Sequence, residues 1–185
     1  MSKLAIIGGA PCVDSVDKSM FHWPIVTEED EQAVLTVLRD GSMSGIDISR
    51  QFEQEYASWV GAKYALSACN GTAALYASFW ACGIGAGDEV ICPAVTYWAS
   101  CAAVINLGGT VNFADIDPVT LCIDPADIEH RICKATKAII VVHYAGHPCD
   151  MDRIMDIAKR HNLKVNKKNK KKKRSLYKGR QCGTI

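Results

Sequence analysis

The sequence has no closely spaced cysteines, no uninterrupted apolar run long enough to span a bilayer, and almost no charge in its middle. Of nine cysteines, no two stand two to four residues apart, which argues against a zinc knuckle. Most of them sit inside apolar runs such as Trp80-Ala81-Cys82 and Val90-Ile91-Cys92, where free cysteine behaves as a small core residue. The odd count and the lack of a signal-peptide pattern point to a reducing, cytoplasmic setting. The stretches 64–87 and 90–114 carry no charged residue at all. Asn70, Gly71, Gly83, Gly85, Gly87, Pro93, Gly108 and Gly109 break them, so each apolar helix is only about 11 to 12 residues, short of the roughly 20 that a membrane span needs. They read as buried parts of an α/β core, with no membrane partner. No internal repeat is present.

Charge is present but unevenly placed. Residues 1–163 hold 11 Lys+Arg against 20 Asp+Glu, whereas residues 164–185 hold 10 Lys+Arg and no acid. That is an acidic body with a basic end. Within the basic end, 166–174 reads Asn-Lys-Lys-Asn-Lys-Lys-Lys-Lys-Arg. Such dense like charge repels itself and resists burial, so the reading stops the strand that begins at Leu163–Val165 before this run and treats 166–174 as anomalous.

The order of elements is legible. Thr27 followed by Glu28, Glu29 and Asp30 opens a helix that Gly41 stops. A second helix starts near Ser49 with Phe52, Tyr56 and Trp59 on one face and ends at Gly61. Strands are expected at Tyr64–Ala68, Glu89–Cys92, Thr110–Ala114 and Lys137–Val142. Helices are expected at Thr72–Cys82, Thr96–Leu107, from Asp124-Pro125 onward, and at Asp150–His161. Strands alternating with helices imply right-handed crossovers and a mainly parallel sheet with helices on both faces. The chain divides as an amino-terminal helical segment (1–62), an α/β domain (63–165), the basic run (166–174) and a remainder (175–185).

Parallel sheets bind ligands beyond the carboxyl ends of their strands. There Cys69-Asn70-Gly71-Thr72-Ala73 turns from an expected strand into a helix. Gly71 permits close backbone approach and Thr72 adds a hydroxyl beside the free N–H groups of the first turn, a pattern suited to phosphate. A plain strand-to-helix turn with a threonine cap satisfies the same residues. After the next strand, Thr96-Tyr97-Trp98 places two aromatics one turn into the expected helix, and Tyr97 could stack on a planar group; a core or interface role fits as well. His143 and His147 stand four apart, but Gly146 and Pro148 make their segment a loop, so they share no helix face for a metal. Asp115 and Asp117, before Pro118, read as turn residues.

Taken in order, these segments resemble the DegT/DnrJ/EryC1/StrS family of sugar aminotransferases over nearly the whole chain except 166–174. The marks are Ser44-Gly45, Phe52-Glu53, Asn70-Gly71-Thr72-Ala73-Ala74-Leu75, Gly87-Asp88-Glu89-Val90-Ile91, and Pro93 with Thr96-Tyr97. Asp115-Ile116-Asp117, Thr136–Ile140, Val142-His143-Tyr144-Ala145-Gly146 and Asp150-Met151-Asp152 follow. The resemblance implies an incomplete large domain of a fold-type-I transferase with pyridoxal 5′-phosphate (PLP) as cofactor, usually a homodimer. It implies that Gly71, Thr72 and Ala73 hold the cofactor phosphate, that Tyr97 covers its ring, and that Ser44 and Gly45 line the substrate side. Glutamate or glutamine would donate the amino group, and a keto group of a nucleotide sugar or cyclitol would accept it. It also marks a departure: the aspartate that partners the pyridine nitrogen would fall where Lys168 stands, and the cofactor-bearing lysine would lie beyond Ile185. The expectation is therefore a fragment with no catalytic residue of its own, inactive as it stands. The competing expectation is a non-catalytic protein whose basic end binds nucleic acid or another polyanion. The acidic body and the absence of interleaved aromatics weigh against it.

Overall fold

The computed structural model describes residues 3–13, 15–41, 45–168 and 176–181. Two compact units make it up, Met1–Ile46 and Asp47–Ile185. In the first, α1 (Glu28–Arg39) starts with a reciprocal capping box. Thr27 Oγ1 accepts the Asp30 N–H at 3.3 Å, and the Asp30 carboxylate accepts the Thr27 N–H at 2.9 Å. Each bond satisfies an orphan donor of a helix start.

The second unit begins with α2 (Asp47–Val60), which the sequence reading groups with the amino-terminal segment. Phe52, Tyr56 and Trp59 form a ladder of rings along it, with centroids 5.8 and 5.7 Å apart. Beyond it, strands and helices alternate: α3 (Gly71–Ala81), β1 (Glu89–Pro93), α4 (Ala99–Asn106), β2 (Thr110–Ala114), α5 (Pro125–Arg131), β3 (Thr136–Val142), α6 (Met151–Arg160) and β4 (Lys164–Lys168). A hairpin of β5 (Leu176–Tyr177) and β6 (Arg180–Gln181) closes the described chain. The four longer strands are all parallel in the order β2-β1-β3-β4, as the alternation of strand and helix predicts. Among the described residues no helix is long and apolar enough to cross a membrane.

Period-2 alternation along β1 and β3 splits the interior into two cores. Val90 and Cys92 with Ala138 and Ile140 pack against Leu75 and Phe79 of α3 and Ala99, Ala103 and Val104 of α4. Ile91 with Ile139 and Val141 packs against Ile128 of α5 and Met151, Ile154 and Ile157 of α6. Helices therefore cover both faces. Because both faces are buried, β3 reads as a continuous β-branched run rather than an alternating one.

Three local expectations need correction. Residues 64–68 have no regular secondary structure and join no strand ladder among the described residues; Tyr64 and Leu66 are about four-fifths exposed. A strand exists only by pairing, and here the Ser67 N–H goes to the Glu53 carboxylate of α2 at 2.7 Å instead of to a neighbouring strand. Second, Thr96 and Tyr97 precede α4, and Trp98 is its N-cap. The helix begins three residues later than its apolar periodicity suggests, since Tyr97 and Trp98 both remain exposed. Third, β4 does not stop at Val165. It continues through Asn166, Lys167 and Lys168, with Val142 opposite Lys168. The ladder is made by backbone groups, and long lysine stems lie along partly buried surface while their ammonium groups find polar partners. The rest of the basic run lies outside the described residues.

Candidate functional site

At the carboxyl end of the sheet the second unit opens a cleft of about 640 Å³. Gly71, Thr72, Tyr97 and Lys168 line it, with an aromatic wall of Phe52, Tyr56 and Tyr64. The cleft owes its shape to how α3 begins. Asn70 is the N-cap, and its Oδ1 accepts the Ala73 N–H at 2.9 Å. That bond fixes the first turn and consumes the Ala73 N–H, and Ala73 is not among the lining residues. The Gly71 and Thr72 N–H groups have no intrahelical acceptor and form part of the positive end of the helix dipole. A Cβ added at Gly71 would meet nothing within 4 Å, so the space over this turn is open to a ligand. Of the three residues expected to hold a phosphate, the structure thus brings Gly71 and Thr72 to the cleft with donors to spare and commits the N–H of Ala73 to capping.

Glu53, in sequence only one half of the Phe52-Glu53 pair, has a structural task. Its Oε1 accepts both the Ser67 N–H at 2.7 Å and the Ser67 Oγ–H at 2.8 Å. Those two donors hold its carboxyl below the usual glutamate range. The tether holds the segment that leads into Asn70 and Gly71, and no spacing rule reveals it. The cap differs from the sequence expectation: Asn70, not Thr72, accepts the Ala73 N–H, and α3 starts one residue earlier, at Gly71.

The opposite wall is built by Tyr97 and Lys168. Tyr97 is 53% exposed. Lys168 Nζ lies 5.1 Å from the centroid of its ring and donates to the Tyr97 carbonyl at 3.4 Å and to Ser100 Oγ at 2.8 Å. Ser100 is fully buried, and its Oγ is 2.8 Å from Thr96 Oγ1. Since an ammonium only donates, Ser100 Oγ accepts from Lys168, while either hydroxyl of the Thr96–Ser100 pair can serve as donor. Behind this wall the Cys92 thiol is pushed up by its Cys101 neighbour and by burial, which keeps it protonated. The register of β4 puts Asn166 and Lys168 on the α3/α4 side, opposite Val165, which joins the other core.

Of the substrate-side pair, Ser44 lies outside the described residues and Gly45 is exposed backbone in the first unit. His143 is buried; its Nδ1 accepts the Cys149 N–H at 3.1 Å, while Nε2 has no partner among the described residues. Burial first, and the Lys167 charge second, lower its pKa, so it is a neutral imidazole with its proton on Nε2. No group of three or more His, Cys, Asp or Glu among the described residues is placed to hold a metal ion.

Comparison with known proteins agrees with this architecture. Residues 24–185 match the model of the DegT/DnrJ/EryC1/StrS aminotransferase family. The chain is 38% identical over 169 residues to L-glutamine:2-deoxy-scyllo-inosose aminotransferase of Streptomyces kanamyceticus, covering 88% of this chain and 39% of the relative. Among solved structures, the aminotransferase from Psychrobacter cryohalolentis superposes with a TM-score of 0.83 at 42% identity, over 88% of this chain and 42% of the other. GDP-4-keto-6-deoxy-D-mannose-3-dehydratase of E. coli, solved with bound hydrated PLP, gives 0.80 at 26% identity, over 88% and 43%. The chain spans about two fifths of the length of the curated relatives it matches. With the parallel sheet, the helix layers and the Asn70–Thr72 turn all in the expected order, the chain belongs to the DegT/DnrJ/EryC1/StrS aminotransferase family.

Proposed function

We propose that this chain supplies the phosphate-holding part of a PLP-dependent aminotransferase that moves an amino group from glutamine or glutamate to a keto group of a nucleotide sugar or cyclitol. One observation carries the reading: the donor-rich first turn of α3 and the Tyr97 ring share a single cleft. The glutamine donor and the cyclitol class follow the name of the Streptomyces kanamyceticus relative, and the cofactor follows the PLP-bound dehydratase. A homodimer is part of the same proposal, by resemblance to the family.

The residues present fit the phosphate end of the cofactor. The Gly71 and Thr72 N–H groups and the Thr72 hydroxyl donate to a dianion, the α3 dipole favours its charge, and the missing Cβ at Gly71 allows close approach. When bound, PLP supplies an electron-withdrawing ring that stabilises charge developing on the carbon bearing the amino group. This chain's own part is to bind. Phe52, Tyr56 and Tyr64 offer aromatic surface along one wall, and Glu53 holds the approach to the turn through Ser67. At the ring end the fit changes. A cation stands at position 168, where the resemblance calls for a carboxylate, and an ammonium opposes a protonated ring nitrogen. The part that these residues play in the proposal is therefore to hold the phosphate end of the cofactor.

Titration of the full chain with inorganic phosphate and with pyridoxine 5′-phosphate, followed by calorimetry, tests the proposal. Binding should weaken about tenfold in Thr72→Ala, the loss of one hydrogen bond to a charged group. No binding at millimolar ligand, or an affinity untouched by Thr72→Ala, would refute the phosphate site.

A further inference from the structure

We propose that Lys168 decides what the cleft accepts, its ammonium occupying the Tyr97 ring so that compact anions are favoured over phosphate esters carrying a flat ring. The inference rests on the cleft being a phosphate site and adds a specificity residue to it.

Lys168 is not a loose surface lysine. Its stem leaves β4 from the face turned towards α3 and α4, and its Nζ is fixed from three directions. Ser100 Oγ accepts from it at 2.8 Å, the Tyr97 carbonyl at 3.4 Å, and the Tyr97 ring lies beneath it at 5.1 Å. The Ser100 acceptor is itself buried and oriented by Thr96, so the anchor is rigid. Both Lys168 and Tyr97 line the cleft, as does the donor turn at Gly71 and Thr72. Glu53 is the single acidic side chain among the lining residues, and its Oε1 is engaged by Ser67.

Two classes of ligand meet this wall differently. A compact anion on the α3 turn leaves the Lys168–Tyr97 contact intact and gains a nearby positive charge. A phosphate ester with a planar ring must lay that ring along Tyr97, and there it meets the ammonium. Stacking then requires breaking the cation–π contact and drawing Nζ away from Ser100. The residue in this position thus sets the balance between anion binding and ring stacking.

The test compares inorganic phosphate with pyridoxine 5′-phosphate, which carries the ring but no aldehyde and so cannot condense with surface lysines. Lys168→Met keeps the stem and removes the charge; Lys168→Gln also keeps a donor for Ser100 and serves should the first fold poorly. Either variant should bind pyridoxine 5′-phosphate about tenfold more tightly than the parent, the size of a partly desolvated cation–π contact. Inorganic phosphate should bind a few-fold more weakly, and Tyr97→Leu added to Lys168→Met should abolish the gain. Equal weakening of both ligands would make Lys168 an ordinary anion ligand and overturn the proposal, as would no change in either. If neither ligand binds the parent or the variants, the phosphate reading of the cleft falls and this inference with it.

Discussion

Replacing Gly71 with alanine separates what the α3 turn does for the fold from what it does for a ligand. Gly71 is the first residue of α3 and does not occupy the left-handed region. A methyl group there meets nothing within 4 Å, so the folded protein accepts it without strain. Alanine narrows the unfolded ensemble, and Gly→Ala at a compatible position stabilises by about 0.4 to 1 kcal/mol. For a chain of this size that raises Tm by about 1 to 4 °C. The same methyl projects into open cleft, where a phosphate oxygen would approach the Gly71 N–H. Losing one charge-assisted contact costs about 1.5 to 3 kcal/mol, or roughly 10- to 150-fold in Kd. Thermal unfolding with and without inorganic phosphate reads both effects on one sample. The unliganded Gly71→Ala protein should melt higher than the parent, and phosphate should shift it less. A lower Tm without phosphate, or a phosphate Kd within about twofold of the parent's, would refute the reasoning.

Other outcomes follow from the same geometry. Asn70→Ala removes the acceptor of the Ala73 N–H and should cost about 1 kcal/mol in urea unfolding, whereas Asn70→Asp should be close to neutral. Phe79→Ala empties a fully buried site between α3 and the sheet and should cost about 3 to 5 kcal/mol; a loss under 1 kcal/mol would mean that the core is not packed as described. His143 has a depressed pKa, so its contribution is complete above the ordinary imidazole value of 6.5 and is lost as pH falls through the lowered one. Stability should decline on acidification through that window. His143→Asn, whose carbonyl can still accept from Cys149, should flatten that part of the profile.

How much of this was readable from residues alone depended on whether one segment decided the matter. The turn Asn70-Gly71-Thr72 is local, so a helix start is legible there from residue type, although the cap is the Asn70 amide and not the expected threonine hydroxyl. Strands β1 and β3 are placed to within a residue because burial on both faces leaves a mark in composition; β2, a largely half-buried edge strand, is placed as closely without that mark. Tyr64–Ala68 has the composition of a strand, but pairing is a property of two segments, and no partner stands beside it among the described residues. The continuation of β4 through Lys168 ran against a sound rule about buried charge. What overrides it is the hydroxyl of Ser100, 68 positions earlier in the chain, which no local reading connects to a lysine. Glu53 and Ser67 belong to the same class: 14 residues apart, they meet only once α2 has folded.

The sheet described above also acts as a partition. Since neighbouring residues of β1 and β3 serve different cores, an even-numbered position such as Val90 or Ile140 reports on the layer that carries the cleft, and an odd-numbered one such as Ile91 or Ile139 reports on the layer behind it. Substitutions on opposite sides share few contacts, so their effects should combine almost independently, while pairs on the same side should not. A designer could therefore repack the wall behind Tyr97 and the Gly71 turn and leave the α5/α6 layer as a constant background. Random variation that reshapes what the cleft binds has the same freedom, one residue out of every two along each central strand.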